Sequence, residues 1–127
     1  LQSSPKVVCD TGHNVGGWQY LKSHLEEESK KHRKLFMVVG MVNDKDINAV
    51  LALLPKHAIY YFTQASVARA LPCHELQALA ARHDLHGTIY PTVAEATRAA
   101  LAEADKEDFI YVGGSSFIVA DLLTDWK

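Results

Sequence analysis

The sequence alternates short apolar runs with longer segments in which apolar residues recur at helical spacing. An apolar run of three to five residues bounded by turn residues is typical of a strand that is buried on both faces. Such strands occur in parallel sheets, where each is followed by a covering helix. The strands predicted on this basis are residues 7–9, 35–39, 58–62, 88–90 and 109–112.

The segments between these runs carry apolar residues three and four positions apart, which indicates one buried face on each predicted helix. Residues 116–123 read as a further, terminal helix. The apolar sets of the four connecting segments are Trp18, Leu21 and Leu25; Ile47, Val50, Leu51 and Leu54; Leu76, Leu79 and Ala80; and Val93, Ala96, Ala100 and Leu101.

Turn residues agree with these boundaries. Gly40 follows the second predicted strand, Pro55 ends the second helix, and Pro91-Thr92 begins the fourth. Alternation through all 127 residues predicts the α/β class. We expect a single three-layer, Rossmann-like domain over residues 1–127, with a mostly parallel sheet of five to six strands, helices on both faces and right-handed connections.

Charge and cysteine content exclude several classes of protein. The net charge is -2 with no basic stripe, so nucleic acid is not an expected partner. No apolar run has the length of a membrane span, and no membrane partner is expected. The two cysteines, Cys9 and Cys73, form neither a disulfide framework nor a Cys-x-x-Cys pair, which favours a cytoplasmic location.

Polar residues cluster after four of the predicted strands. In a parallel sheet, the loops after the first, second, third and fifth strands open on one edge, where ligands collect. We therefore expect a cleft of mixed charge at that edge. Its candidate residues are Asp10, Thr11, Gly12, His13 and Asn14; Asn43, Asp44, Lys45 and Asp46; Thr63, Gln64, Ser66 and Arg69; and Gly113, Gly114, Ser115 and Ser116.

These residue types suit a nucleotide and an acidic substrate. An acid at a strand tip can accept ribose hydroxyls, a lysine or arginine can pair with a carboxylate or phosphate, and glycines admit close backbone approach. Several of these residues also have a purely structural explanation, which accounts least well for Lys45. Asp10 and Asn14 can cap the first helix, Asp44 and Asp46 are ordinary acids at a helix N-terminus, Arg69 can be a solvated cation, His13 can be a structural histidine, and Gly113-Gly114-Ser115 can be a turn with a cap.

Several motifs that would indicate one specific function do not match this sequence. Residues 11–17 superficially resemble a glycine-rich dinucleotide turn, but Trp18 stands where a close-packed glycine would be needed. Cys73-His74 with His83 and His86 has no standard zinc spacing, so no metal site is predicted in this chain. These 127 residues contain no Gly-x-x-x-x-Gly-Lys-Ser/Thr phosphate loop, so the chain cannot activate ATP by that route alone.

Three ordered motifs resemble those of a known family. Asp10-Thr11-Gly12-His13-Asn14 is similar to its Asp-Gly-Ala-His-Asn signature, departing at the two middle positions. Residues 40–46 are similar to its Gly-x-x-x-Asp-Lys-Asp stretch, and Gly114-Ser115 followed by Phe117 is similar to its Gly-Ser-x-Tyr/Phe segment. The whole chain thus resembles the C-terminal domain of folylpolyglutamate synthases, including the bifunctional dihydrofolate synthase type, within the Mur ligase superfamily.

The resemblance implies part of an ATP-dependent carboxylate-amine ligase. The carboxylate of a folate or dihydropteroate would be phosphorylated by ATP, and the amine of L-glutamate would then attack the acyl phosphate. Asp10, His13 and Asn14 would bind ATP, with Asp10 on the ribose. Lys45, Arg69 and Ser115 would face glutamate, and Arg69 rests on the loosest of the matches.

In this family the phosphate loop and the Mg²⁺ ligands belong to a larger N-terminal domain, which would be the partner of this chain. The resemblance therefore implies a monomeric enzyme of which this chain alone is folded but inactive, with no catalytic residue of its own. Two alternatives stay open on the sequence. One is a free-standing α/β module that binds a nucleotide or metabolite, and the other is a structural domain whose loop residues only cap helices.

Overall fold

The core of the fold is a six-stranded sheet with the strand order β1-β2-β6-β3-β4-β5, observed in a computed structural model. β1 pairs antiparallel with β2, and the other four pairings are parallel. The predicted mostly parallel sheet is therefore confirmed. The strands are β1 (Gln2–Ser3), β2 (Lys6–Asp10), β3 (Leu35–Val39), β4 (Ile59–Phe62), β5 (Gly87–Ile89) and β6 (Phe109–Gly113).

The structure describes residues 2–3, 6–10, 23, 25–27, 30, 34–42, 47–68, 70–114 and 116–125, with only the backbone described at 2, 3, 6, 10, 116, 117 and 125. Residues 23, 25–27 and 30 are helical, as predicted for the segment after the first long strand. The helices with complete bounds are α1 (Ile47–Leu53), α2 (Cys73–Ala81), α3 (Val93–Glu103) and α4 (Ser116–Asp125).

Successive side chains of the central strands enter two separate cores. In β3, Met37 packs into one core and its neighbours Phe36 and Val38 pack into the other. This follows from the two-residue period of a strand, which points adjacent side chains to opposite faces. β4 and β6 divide in the same way, so the sheet is apolar on both faces and needs cover on each.

The helices supply that cover in two pairs. α1 and α2 contribute residues such as Leu51 and Leu76 to the core on what we call the first face. α3 and α4 contribute Ala96 and Ile118 to the core on the second face. The three-layer arrangement with helices on both faces is thereby confirmed.

Differences from the predicted elements are confined to ends and edges. β5 is Gly87–Ile89 rather than residues 88–90, and it lies at the margin of the sheet, where Ile89 is exposed. A strand buried on one side only gives a weak apolar signal, which explains the shift. β1 was not predicted as a separate strand, because two polar residues produce no apolar run.

Helix ends match the turn residues. The Thr92 hydroxyl oxygen caps α3 by accepting a hydrogen bond from the Glu95 amide at 3.1 Å. Pro55 follows α1, and its carbonyl accepts a hydrogen bond from the buried Tyr60 hydroxyl. Among the described residues, no helix has the length and apolarity that crossing a bilayer requires.

Two threonines, Thr97 within α3 and Thr92 at its N-cap, should respond oppositely to the same substitution. Thr97 is 3% exposed, and its hydroxyl has no hydrogen-bond partner among the described atoms. Thr97→Val removes a buried, unsatisfied hydroxyl and should raise the free energy of unfolding by about 1 kcal/mol. Thr92→Val removes the helix cap and should lower it by about 1 kcal/mol. Urea denaturation of both variants checks this, and a loss of stability in Thr97→Val would contradict the assignment.

Candidate functional site

The strand order places a topological switch point at the carboxyl edge of the sheet, where α/β proteins form a ligand-binding crevice. β6 lies between β2 and β3. The chain after β2 and β3 supplies Leu25 and α1 to the first face, whereas α4 follows β6 on the second face. Connections that leave neighbouring strands toward opposite faces open a gap at their carboxyl ends, where α/β proteins bind ligands. The crevice is therefore expected beside the end of β6.

The ends of three strands lie side by side at this edge. The Cα register places Asp10 of β2 opposite Gly113 of β6, and Gly113 opposite Val39 of β3. The Gly40 amide donates to the Gly113 carbonyl at 3.2 Å, which extends the pairing one residue beyond the strands. Asp10, Gly113 and Val39 thus form one row across the strand ends. The segments that follow β2, β3 and β6 begin side by side from this row, as the sequence predicts.

Two glycines pack together immediately beyond this row. Gly114 has a φ of +106°, and a Cβ there would overlap the Gly40 carbonyl oxygen. A Cβ on Gly40 would meet the Ile118 side chain and approach the Thr63 carbonyl oxygen to 2.8 Å. Glycine is thus needed at position 114 for its backbone conformation and at both positions for space.

The loops after β3 and β4 are joined by backbone pairing. Val42 and Ala70 form an antiparallel bridge, and the Leu71 amide donates to the Met41 carbonyl at 2.8 Å. Val42 stands three residues before Lys45, and Ala70 directly follows Arg69. The described residues that flank these two predicted cations in sequence therefore lie close together.

The predicted ligand residues themselves fall largely beyond what the structure describes. Asp10 ends β2, and only its backbone is described. Their roles therefore stay predictions. The predicted ligand residues outside the described part of the chain are His13, Asn14, Lys45, Arg69 and Ser115. The other cleft candidates outside it are Thr11, Gly12, Asn43, Asp44 and Asp46.

Three further polar residues that the sequence placed in the cleft have structural roles in the loop after β4. Thr63 is fully buried, so it does not line an open cleft. The Gln64 side-chain oxygen accepts the Cys73 amide at 2.9 Å and thereby satisfies one donor at the start of α2. The Ser66 amide and hydroxyl both donate to the carboxylate of Asp121, at 2.8 and 3.0 Å.

Asp121 is the residue at this edge that the sequence reasoning missed. It lies on α4 and is half-buried. An available signal was its position within the apolar run 117–123, because a charged side chain in such a run usually has a partner. That partner is 55 residues away in sequence, and no local pattern could identify it.

Among the described residues, neither the shifted pKa values nor the clustering of side chains indicates a reactive group. Burial raises the pKa of the Tyr60 and Tyr61 phenols well above its usual value, and the carboxylate of Glu103 adds to the effect on Tyr61. Both phenols therefore stay protonated at neutral pH. Within the described ranges, no group of three His, Cys, Asp or Glu side chains is arranged to hold a metal ion.

Comparison with known proteins gives consistent matches. Residues 1–116 match the family model described as Mur ligase, glutamate ligase domain. The dihydrofolate synthase/folylpolyglutamate synthase of Escherichia coli is 33% identical over 125 residues, which cover 97% of this chain and 28% of that protein. A protein of Haloferax volcanii named "Probable bifunctional folylpolyglutamate synthase/dihydropteroate synthase" is 31% identical over 129 residues, which cover 99% of this chain and 15% of that protein.

Solved structures of the same kind superpose well. Escherichia coli FolC in complex with DHPP and ADP has a TM-score of 0.86 and 30% identity, covering 98% of this chain and 29% of that one. A bifunctional folylpolyglutamate synthase/dihydrofolate synthase with Mn, AMPPNP and L-glutamate bound has a TM-score of 0.79 and 29% identity, covering 93% and 28%. The chain thus spans less than a third of the length of these relatives.

The glycine contact gives a graded stability prediction. Gly114→Ala should lower the free energy of unfolding by about 2–4 kcal/mol, since it combines a positive φ with an overlap against backbone. Gly40→Ala should cost less, because part of its overlap is with the flexible end of Ile118. Adding Ile118→Val should recover part of the loss in Gly40→Ala but none in Gly114→Ala. Thermal denaturation measures the stability of each variant with and without Ile118→Val. An equal recovery of stability in Gly40→Ala and Gly114→Ala would contradict the contacts described for the two glycines.

Proposed function

Because the chain belongs to the Mur ligase family as its glutamate ligase domain, we propose that it forms one side of the active site of a folylpolyglutamate or dihydrofolate synthase. The observation that carries the proposal is the row at the end of β2, β6 and β3, from which the segments bearing all three family-like motifs begin. The proposed site opens at the crevice beside β6.

We assign the end of β2 to the nucleotide. Asp10 lies at the strand tip next to the crevice, where a carboxylate can accept the hydroxyls of a ribose. His13 and Asn14 follow within four residues, so they can reach the same ligand. The relatives with bound ADP or AMPPNP support a nucleotide as the ligand of this fold.

We assign the loops after β3, β4 and β6 to L-glutamate, through Lys45, Arg69 and Ser115. Glutamate brings two carboxylates, which a lysine and an arginine can each pair. The bridge between Val42 and Ala70 supports this assignment, because it joins the loops that carry the two cations. A related synthase has been observed with L-glutamate bound.

In the proposed reaction, a carboxylate oxygen of folate, of its polyglutamate tail or of dihydropteroate attacks the terminal phosphorus of ATP, which releases ADP. The glutamate amine then attacks the acyl carbon, loses a proton and displaces phosphate. The contribution of this chain is binding and orientation, with the cations lowering the cost of bringing anionic reactants together.

The remaining parts of the site are assigned to a larger N-terminal domain. No phosphate loop occurs in the 127 residues, and no metal cluster occurs among the described ones. In the proposed enzyme, the Mg²⁺ ion that accompanies ATP would be held by that domain, as the family resemblance implies, and the isolated chain would not turn over substrate. Cys9 and Cys73 are both free thiols, which is compatible with the reducing cytoplasm.

Two substitutions test the nucleotide assignment in the full-length protein. Asp10→Ala and His13→Ala should each lower kcat/KM for ATP by about tenfold or more, the usual effect of losing a hydrogen bond to a charged group. Glu107→Ala and His86→Ala, at exposed positions before β6 and β5, serve as matched controls and should leave turnover unchanged. Wild-type activity in both test variants would overturn the assignment.

The isolated chain distinguishes the proposal from a free-standing binding module. Calorimetric titration with ATP should show no binding tighter than about 100 µM, because the second domain is needed to enclose the nucleotide. A dissociation constant below about 1 µM for the chain alone would favour the free-standing module.

A further inference from the structure

The loop between β4 and α2, residues 63–72, is fixed to three other parts of the fold. Gln64 accepts the Cys73 amide at the start of α2, and Leu71 donates to the segment after β3. Ser66 binds Asp121 of α4. These anchors restrict the backbone of the described loop residues, 63–68 and 70–72.

The Ser66–Asp121 contact is the anchor that joins the loop to α4. Each carboxylate oxygen of Asp121 accepts one hydrogen bond, from the Ser66 amide at 2.8 Å and from the Ser66 hydroxyl at 3.0 Å. Hydrogen bonds to an ionised carboxylate are about twice as strong as neutral ones. Asp121 itself is held in place because Ile118 and Leu122, on the same helix, are fully buried in the second-face core.

The loop changes faces within a few residues of this anchor. Ala65 packs into the second-face core and Leu71 into the first-face core, so the chain passes across the carboxyl edge between them. Only residues 67–69 separate Ser66 from the bridge at Ala70. Arg69 belongs to this short span, and both ends of the span are fixed.

α4 begins directly after Ser115, the residue assigned to glutamate after β6. Asp121 therefore connects the loop that carries Arg69 to the helix that follows Ser115. We propose that Asp121 is a positioning residue for glutamate, setting the Arg69 loop relative to the start of α4 through Ser66. This inference rests on the proposed glutamate assignment and adds a residue that lies outside the family-like motifs.

Steady-state kinetics of the full-length protein test the proposal. Asp121→Asn should raise KM for glutamate about three- to tenfold and leave KM for ATP unchanged, since one or two hydrogen bonds are weakened on the glutamate side only. Ser66→Ala should act in the same direction, and Ser66→Thr, which keeps the hydroxyl, should restore the wild-type value. Thr124→Ala is the control, because the Thr124 hydroxyl donates within α4, to the Ala120 carbonyl oxygen at 2.9 Å.

The double variant Arg69→Ala/Asp121→Asn separates positioning from stability. If Asp121 acts through Arg69, Asp121→Asn should change KM for glutamate little once Arg69 is alanine. Multiplicative effects of the two substitutions, or an equal rise in KM for ATP, would overturn the proposal. So would wild-type kinetics in both Asp121→Asn and Ser66→Ala while Arg69→Ala raises KM for glutamate. An unchanged KM in Arg69→Ala would instead overturn the glutamate assignment, and the positioning role with it.

Discussion

The insertion of β6 between β2 and β3 is the interaction on which the rest of the structure depends. β6 is the last strand in sequence but one of the two central strands of the sheet, with parallel partners on both sides. Its pairings connect Val7 to Ile110 and Phe36 to Ile110, across most of the chain. Such pairings are entropically costly to form, so the sheet is complete only when nearly all of the chain has been brought together.

The same insertion determines where the chain can bind a ligand. The segments after β2 and β3 cover the first face, and α4 covers the second, so the connections diverge on both sides of β6. Close contact of Gly40 with Gly114 keeps the ends of β3 and β6 in register beyond the last strand residue. The expected position of the crevice is therefore a consequence of topology. The bridge at Val42 and Ala70, together with the Ser66–Asp121 contact, then orders the loops above it.

Much of the fold could be predicted from the sequence, because the signals are local. β3 has the predicted bounds, and Thr92 and Pro55 mark helix ends as expected. The predicted bounds differ from the observed ones at β5, which is buried on one side only. β1 was not predicted separately, because two residues are too few to form a pattern. For the site, the sequence predicted that polar loops meet at one edge of the sheet, and the register places the ends of β2, β6 and β3 side by side there. The ligand roles of the loop residues stay predictions. The sequence assigned Thr63, Gln64 and Ser66 to an open cleft. In the structure Thr63 is buried, Gln64 accepts the Cys73 amide at the start of α2, and Ser66 binds the distant carboxylate of Asp121.

The sequence by itself determined the class of the fold and the family, since both follow from hydrophobic period and from short ordered motifs that need no knowledge of contacts. Only the tertiary structure decided the strand order, the row of Asp10, Gly113 and Val39, and the pairing of Ser66 with Asp121. The physical reason is the distance along the sequence over which each interaction acts. Periodicity and capping act over a few residues, whereas the neighbours of β6 and the partner of the half-buried Asp121 are chosen by the packing of segments more than 50 residues apart.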